Sequence, residues 1–589
     1  MRRIDRDEFW RILHDDGRQA TILPTDGFAG NGKPIFDWNE AAIQLTRSGS
    51  SWSPGLGAPV TVTYAFRATA PTSMPSGVTG FQPFNAAQIA AAEAALQLWA
   101  DAANITFVRN GSGTSGAGAY SNNATILFAN YTTETDPASA FAYFPGSTAS
   151  GSVAGDVWVD ISQPENASPV FGDFGPHVLA HEIGHAIGLS HPGDYDGGSP
   201  TYAADAIYWQ DARMFTVMSY FGSTNSGGNL PSFSWGPQFH DIAAAQRLYG
   251  ANLSTRTGDT VYGFNSTAGR SLFDIAAAAQ GATFSIWDAG GVDTLDLSGY
   301  AENAEIDLRP GSFSSAGPTP DNGPAKYNIS IAVGVIIEDA VGGSGRDTIT
   351  GNDAPNVLTG AAGNDSLLGG VGADSLIGGD GDDRMAGGTE NDFVDAGAGD
   401  DTLRGDDGDD QLFAGFGNDV GDGGIGNDLI RSGPGNDTLY GGDGNDTLGA
   451  SNRSDFIRGD AGDDLLLGSN GNDRLFGQIG ADTLHGGNGQ DLLDGGAGDD
   501  RLRGEAGNDR FTFAPGSGAD VIVDFAAGAA SGDLISLIGF GPALDSFAEA
   551  IALATQIGSS VVFDLGGGDT ITLLKVAMAD LDAGDFLFG

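Results

Sequence analysis

Tyr440-Gly441-Gly442-Asp443-Gly444-Asn445-Asp446-Thr447-Leu448 and Asp494-Gly495-Gly496-Ala497-Gly498-Asp499-Asp500-Arg501-Leu502 are two copies of one nine-residue unit. The period runs without insertion from Val341 to Phe511, a stretch of nineteen nonapeptides. The seventh place is Asp in every copy but one, which has Asn356. The ninth is apolar in every copy but the one ending at Gly421. So regular a period predicts a solenoid rather than a linker. Glycine permits tight turns and positive φ. Glycine carbonyls and Asp carboxylates are hard oxygen donors that suit Ca²⁺. The apolar ninth residue should lie in a short strand and point inward. One turn of the coil should take two nonapeptides, with ions between successive turns. Without them the stacked aspartates should repel and the roll should not hold.

The expected calcium positions follow the period. They are Gly343, Gly345 and Asp347; Gly363 and Asp365; Gly370, Gly372 and Asp374; Gly379, Gly381 and Asp383; Gly399 and Asp401; Gly408 and Asp410; Gly417 and Asp419; and Gly426 and Asp428. They continue with Gly435 and Asp437; Gly444 and Asp446; Gly462 and Asp464; Gly471 and Asp473; Gly489 and Asp491; Gly498 and Asp500; and Gly507 and Asp509. Ala354, Glu390 and Arg453 replace the fifth-place glycine, and Arg453 would set a cation in a cation site.

Working outward, the whole chain shares this chemistry. Of 589 residues 95 are Gly, and 77 acidic against 26 basic residues give a net charge of −51. Such a surface repels nucleic acid and anionic membranes and attracts divalent cations. With no Cys, disulfides and thiolate metal sites are excluded. The N-terminus, Met1-Arg2-Arg3-Ile4-Asp5-Arg6-Asp7-Glu8, has no apolar run, so no N-terminal secretory signal is expected. No stretch has the apolar length of a membrane span.

Residues 1–30 read as a short propeptide or flexible arm, and 31–250 as a mixed α/β domain. Val60, Val62, Tyr64 and Phe66 alternate as in a strand. Further strands are expected at 124–131 and 155–161. Asn85 should cap a helix to residue 102, with others over about 176–188 and 238–249. Residues 251–340 form a junction, and 512–589 lose the period and read as a β-rich cap.

The chemistry concentrates in His181-Glu182-Ile183-Gly184-His185-Ala186-Ile187-Gly188-Leu189-Ser190-His191. Histidines four apart on a helix share a face and can reach one metal. Gly188 can turn the chain and bring His191 round as a third ligand. Three imidazoles leave an open position, the pattern of a catalytic zinc site. Glu182 is placed to take a proton from the water that the metal activates. Downstream, Thr216-Val217-Met218-Ser219-Tyr220 resembles the Met-turn of the metzincins.

Together these segments resemble the serralysin family, metzincin zinc proteases that carry a calcium-binding nonapeptide (RTX) roll. Further segments of the likeness are His191-Pro192-Gly193-Asp194-Tyr195, Asp241-Ile242-Ala243-Ala244, Leu248-Tyr249-Gly250-Ala251-Asn252, Arg256-Thr257-Gly258-Asp259-Thr260-Val261-Tyr262-Gly263 and Trp287-Asp288-Ala289-Gly290-Gly291. The resemblance covers about residues 31–589. It implies an α+β chain in which a metzincin-type protease domain precedes an unusually long parallel β-roll and a β-rich C-terminal cap. It implies zinc on His181, His185 and His191, with Glu182 as general base. Tyr220 would be an extra, switchable zinc ligand that stabilises the oxyanion. Ala140-Phe141-Ala142-Tyr143-Phe144-Pro145-Gly146 resembles the strand along which peptide substrates align, so specificity should be broad. Arg256, Gly258, Thr260, Asp288, Gly290, Gly291, Asp293 and Glu338 match the first calcium sites, Arg256 through its carbonyl alone. Ile336 stands where the family often has threonine.

The family is exported by type I (ABC) machinery through an uncleaved C-terminal signal, which Asp585-Phe586-Leu587-Phe588 fits. The expected partners are protein or peptide substrates, that machinery and a proteinaceous inhibitor, for an extracellular monomer. The competing reading is a calcium-dependent adhesin or surface protein with a vestigial protease domain; an adhesin has no need of Glu182. A pore-forming toxin would need a long apolar or amphipathic region. Of the remaining histidines, His14, His177, His240 and His485, His177 lies one turn before His181 and reads as a helix-face residue.

Overall fold

The computed structural model describes residues 27–132, 139–147, 154–277, 281–320, 323–528, 532–541 and 544–589. The expected arm at 1–30 lies outside them except for 27–30. The chain divides into two compact units, Met1–Asp339 and Ala340–Gly589.

In the N-terminal unit six strands form one sheet: β1 (Val60–Phe66), β2 (Thr79–Gln82), β3 (Ile105–Arg109), β4 (Ile126–Thr132), β5 (Ala140–Ala142) and β6 (Val157–Asp160). The order is β3-β1-β4-β6-β5, with β2 also on β4. β1, β3, β4 and β6 run parallel, whereas β5 is an antiparallel edge strand on β6. Four longer helices accompany the sheet: α1 (Trp38–Leu45), α2 (Ala86–Ala102), α3 (Phe174–Ala186) and α4 (Phe239–Tyr249). The expected elements form within two residues of the expected bounds. Asn85 caps α2 reciprocally with Gln88. α1 was not expected, although Asp37 and Glu40 form the same capping box. The core, including Phe66, Phe128, Trp99, Leu179, Ile183, Val217, Met218 and Leu248, joins sheet and helices in one buried cluster. α3 is buried along nearly its whole length, so its polar residues cannot be a solvated face.

The C-terminal unit is the solenoid. Each repeat strand pairs in parallel with the strand two units on, as Leu367 does with Met385 and Leu376 with Val394. The coil therefore takes eighteen residues per turn, two nonapeptides, as the period predicts. Ninth-place residues such as Leu358, Leu403, Leu439 and Leu484 are wholly buried. At Gly421 the side chains of Ile430 and Leu439 close over the gap. The cap continues the coil: Leu534–Leu537 pairs with Arg510–Phe513, and Phe586–Phe588 with Leu534–Leu537. A hairpin, Ser560–Gly566 with Asp569–Leu573, joins it through Ala519–Ile522.

Candidate active site

α3 places His181 and His185 on one face. Gly184 between them faces Met218, and a Cβ there would run into Sδ. The helix ends at Ala186, and Gly188 takes φ +111, where a Cβ would also strike the Ser50 carbonyl. That left-handed turn reverses the chain. It brings His191 back, so that its Nε2 lies 3.2 Å from that of His181 and 3.0 Å from that of His185.

Each Nδ1 lies 2.7 Å from a backbone carbonyl, of Val217 for His181, Leu189 for His185 and Tyr195 for His191. A carbonyl can only accept, so each Nδ1 carries the proton and each Nε2 turns a lone pair inward. The three donor atoms fall within 4.8 Å of one another. Three converging lone pairs repel unless a cation sits among them, and neutral imidazoles are the donors that Zn²⁺ takes. Burial keeps the rings neutral, lowering His185 to about 4 and His191 to about 3, and His181 well below its ordinary value.

Glu182 is buried beside them and its Oε2 has no partner. Burial, helped by the charge of Asp196, raises its pKa to about 8. Tyr220 sets its ring edge-on to His191, centroids 4.6 Å apart, and tilted against His181 at 5.8 Å. Its hydroxyl is pushed up to about 12, chiefly by burial, so it keeps its proton.

Three supports were not read from the sequence. Asp241 on α4 accepts from Thr216 Oγ1 at 2.5 Å, Val217 N–H at 2.7 Å and Gln238 N–H at 2.9 Å. It thereby fixes the Val217 carbonyl that orients His181. Asp211 accepts from Tyr195 Oη and Ser219 Oγ, both at 2.7 Å. Arg47, just beyond α1, donates to the carbonyls of His191 and Gly193. These partners lie up to 146 residues apart, so local spacing carries no trace of them. His177 is buried rather than a bland face residue: its Nδ1 meets the Ser234 carbonyl, and it borders a cavity with Glu182 and Tyr220.

Two cavities flank Glu182 and Tyr220. One, of about 370 Å³, is bordered by Ala140, Ala142, Phe144, Asp194 and Tyr195. The other, of about 430 Å³, is bordered by Ser139, Ala140, Phe174, His177 and Arg213. β5 forms one rim of both.

The expected junction ligands also gather. Asp293 Oδ1 accepts from Thr260 N–H at 2.8 Å, and its Oδ2 is buried without a partner. Glu338 accepts from Asp293 N–H at 2.8 Å, and a Cβ at Gly291 would meet the Gly258 carbonyl. Burial first, then the charge of Asp288, raises Asp293 to about 7. The Arg256 side chain is engaged with Asp101 and Tyr262, at 2.9 Å each. In the roll each seventh-place Asp from Asp365 to Asp509 turns Oδ1 to the N–H of the seventh-place residue two units earlier, as Asp383 does for Asp365 at 2.7 Å and Asp374 for Asn356 at 2.8 Å. From Asp365 to Asp509 every such Oδ2 is buried without a partner. The fifth-place glycine Gly417 abuts both the Gly399 carbonyl and Asp419 Oδ1, and Gly507 abuts those of Gly489 and Asp509. Rows of buried Oδ2 atoms without donors, beside glycine carbonyls, suit a hard divalent cation. Arg453 keeps the glycine-like backbone, φ +81, with its carbonyl against Gly471 and its side chain exposed rather than in the row.

Two family descriptions match this sequence: peptidase M10 serralysin C terminal over residues 251–588, and metallo-peptidase family M12 over residues 84–234. The chain belongs to the serralysin family of metallopeptidases. It is 42% identical to metallopeptidase AprA of Pseudomonas marginalis, over 59% of this chain and 70% of that one. Against serralysin G of Dickeya chrysanthemi it is 43% identical, over 56% of this chain and 68% of the relative. Serralysin A of the same organism is 46% identical, over 57% and 66%. Within this serralysin-family chain the sequence expectation of a metalloprotease ahead of a repeat solenoid holds.

Proposed function

We propose that this chain is a secreted zinc endopeptidase of broad specificity whose roll is folded by calcium. The observation that carries the reading is the convergence of three Nε2 lone pairs, each fixed by an Nδ1–H donated to a carbonyl, beside a buried carboxylate without a partner.

His181, His185 and His191 would hold the zinc. When bound, zinc supplies Lewis acidity that polarises the scissile carbonyl and acidifies water. The charge of a zinc ion held beside it would offset the burial that raises the Glu182 pKa and keep it ionised. Glu182, with one oxygen free, then takes a proton from water as it attacks and returns it to the leaving amine. The protonated Tyr220 hydroxyl donates to the oxyanion as it develops. β5 binds the peptide main chain. Its odd residues serve β6, since Ser139 O accepts from Asp160 N–H and Tyr143 N–H donates to Asp156 O. Ala140 and Ala142 therefore turn their main-chain groups to the open edge. A substrate held this way adds as an antiparallel strand and is read little by side chain, which supports broad specificity.

The buried, unpartnered Oδ2 atoms of Asp293 and of the roll aspartates support calcium at the junction and along the roll. Among the described residues no helix is long and apolar enough to cross a membrane. Membership of the serralysin family supports export by type I machinery. Casein hydrolysis should be abolished by a zinc chelator, restored by zinc, and absent from Glu182→Ala. Activity that survives the chelator or the substitution would overturn the reading.

A further inference from the structure

Arg213 is a half-buried cation with no anionic partner among the described residues. Its Nε is shut off from water and has no hydrogen-bond partner. Other arginines of the same unit that are withdrawn from solvent are paired: Arg67 with Asp156 at 2.6 Å, Arg109 with Glu93 at 2.6 Å and Arg256 with Asp101 at 2.9 Å. Among the described residues Arg213 has instead only the ring faces of Phe174 and Phe233, at 6.0 and 5.5 Å. Burial lowers its pKa, and no carboxylate offsets the effect. An uncompensated buried charge is costly. This one lines the cavity of about 430 Å³ that also contains Glu182 and Tyr220.

The direction of the peptide decides what enters that cavity. A strand antiparallel to β5 passes Phe144 and Ala142 first and Ser139 last. Its amino-terminal side therefore lies over the cavity bordered by Ala142 and Phe144, and its leaving-group side over the one bordered by Ser139 and Arg213. We infer that the Arg213 cavity receives the side chain of the residue following the cleaved bond and selects an acidic one. The guanidinium gives that carboxylate charge-assisted hydrogen bonds, and the carboxylate supplies the anion Arg213 lacks. The inference rests on the peptidase reading and refines it at one subsite; main-chain binding elsewhere keeps specificity broad.

The test uses the full chain with zinc and calcium, and quenched fluorescent peptides differing only after the cleaved bond (Asp, Glu, Leu or Lys). Mass spectrometry confirms the bond cut. The acidic peptides should exceed the Leu peptide in kcat/KM by at least about tenfold, mainly through KM, with Lys slowest. Arg213→Glu should reverse the order of Asp and Lys. In Glu182→Gln, binding followed by fluorescence anisotropy should favour the acidic peptides by a similar factor. Equal rates for Asp, Glu and Leu in the unaltered chain would overturn the inference, whether or not the Arg213 variants fold. So would a preference that persists in Arg213→Gln, or one that follows a free C-terminus and vanishes when the peptide is amidated. Failure to cut any of the peptides would instead remove the peptidase reading beneath it.

Discussion

Tyr220 sits with its ring against His191 and its hydroxyl held protonated by burial. A group so placed can donate to an oxyanion without first binding substrate. Tyr220→Phe removes the donor and keeps the ring, so kcat should fall on the order of 10²-fold while KM changes little. Steady-state kinetics on one peptide checks this; an equal rise in KM would show that the hydroxyl serves ground-state binding. The histidines and Glu182 were legible because they lie within eleven positions, where helix period and one turn govern their approach, whereas Tyr220 entered only through the resemblance of Thr216–Tyr220 to a Met-turn. Arg213 was not legible, because what marks it is the lack of an anionic partner among the described residues.

Elements contribute through main-chain groups. α4 supplies Asp241, whose three accepted hydrogen bonds hold the turn beneath the metal site. Asp241→Ala frees the Val217 carbonyl to drift from His181, so zinc affinity should drop about 10–100-fold. Competition with a zinc-chelating dye measures it, and unchanged affinity would show that the turn is held by packing alone. β5 offers a second test. Because Ala142 N–H faces the open edge, Ala142→Pro should spare the pairing with β6 yet remove one hydrogen bond to the peptide. KM should rise about tenfold with the melting temperature little changed; unaltered KM would mean substrate does not add to this edge. Of the parallel strands β1 was foreseen from alternation, β4 and β6 as short strands, and β3 not at all. β5, three residues long, is too short to carry a pattern and was foreseen only through the resemblance of Ala140–Gly146 to the family's substrate strand.

The roll is an electrostatic device on the scale of the whole molecule. Burial, with neighbouring aspartates, raises residues such as Asp383, Asp392, Asp401 and Asp464 to about 7, above the ordinary 3.8. Between those values the metal-free folded roll binds protons that the unfolded chain does not. Its stability is therefore greatest at low pH and is lost as pH rises through about 7. In chelator, β structure measured by circular dichroism should be more resistant to urea at pH 5 than at pH 8. Calcium bound as proposed would replace those protons and should remove the difference. Equal stability at both values without calcium would show that the aspartate rows carry no repulsion.

By itself the sequence determined whatever depends on spacing. A nine-residue period sets the coil of two units per turn because each strand must repeat its inward residue, and an i, i+4 pair with a glycine turn sets three histidines around one point. Only the tertiary structure decided which main-chain groups the supporting residues hold, which edge of the sheet remains open and where, among the described residues, a cation has no anion beside it. Those outcomes arise from contacts between residues far apart in the chain, and from burial, which acts on charge only once the core has closed.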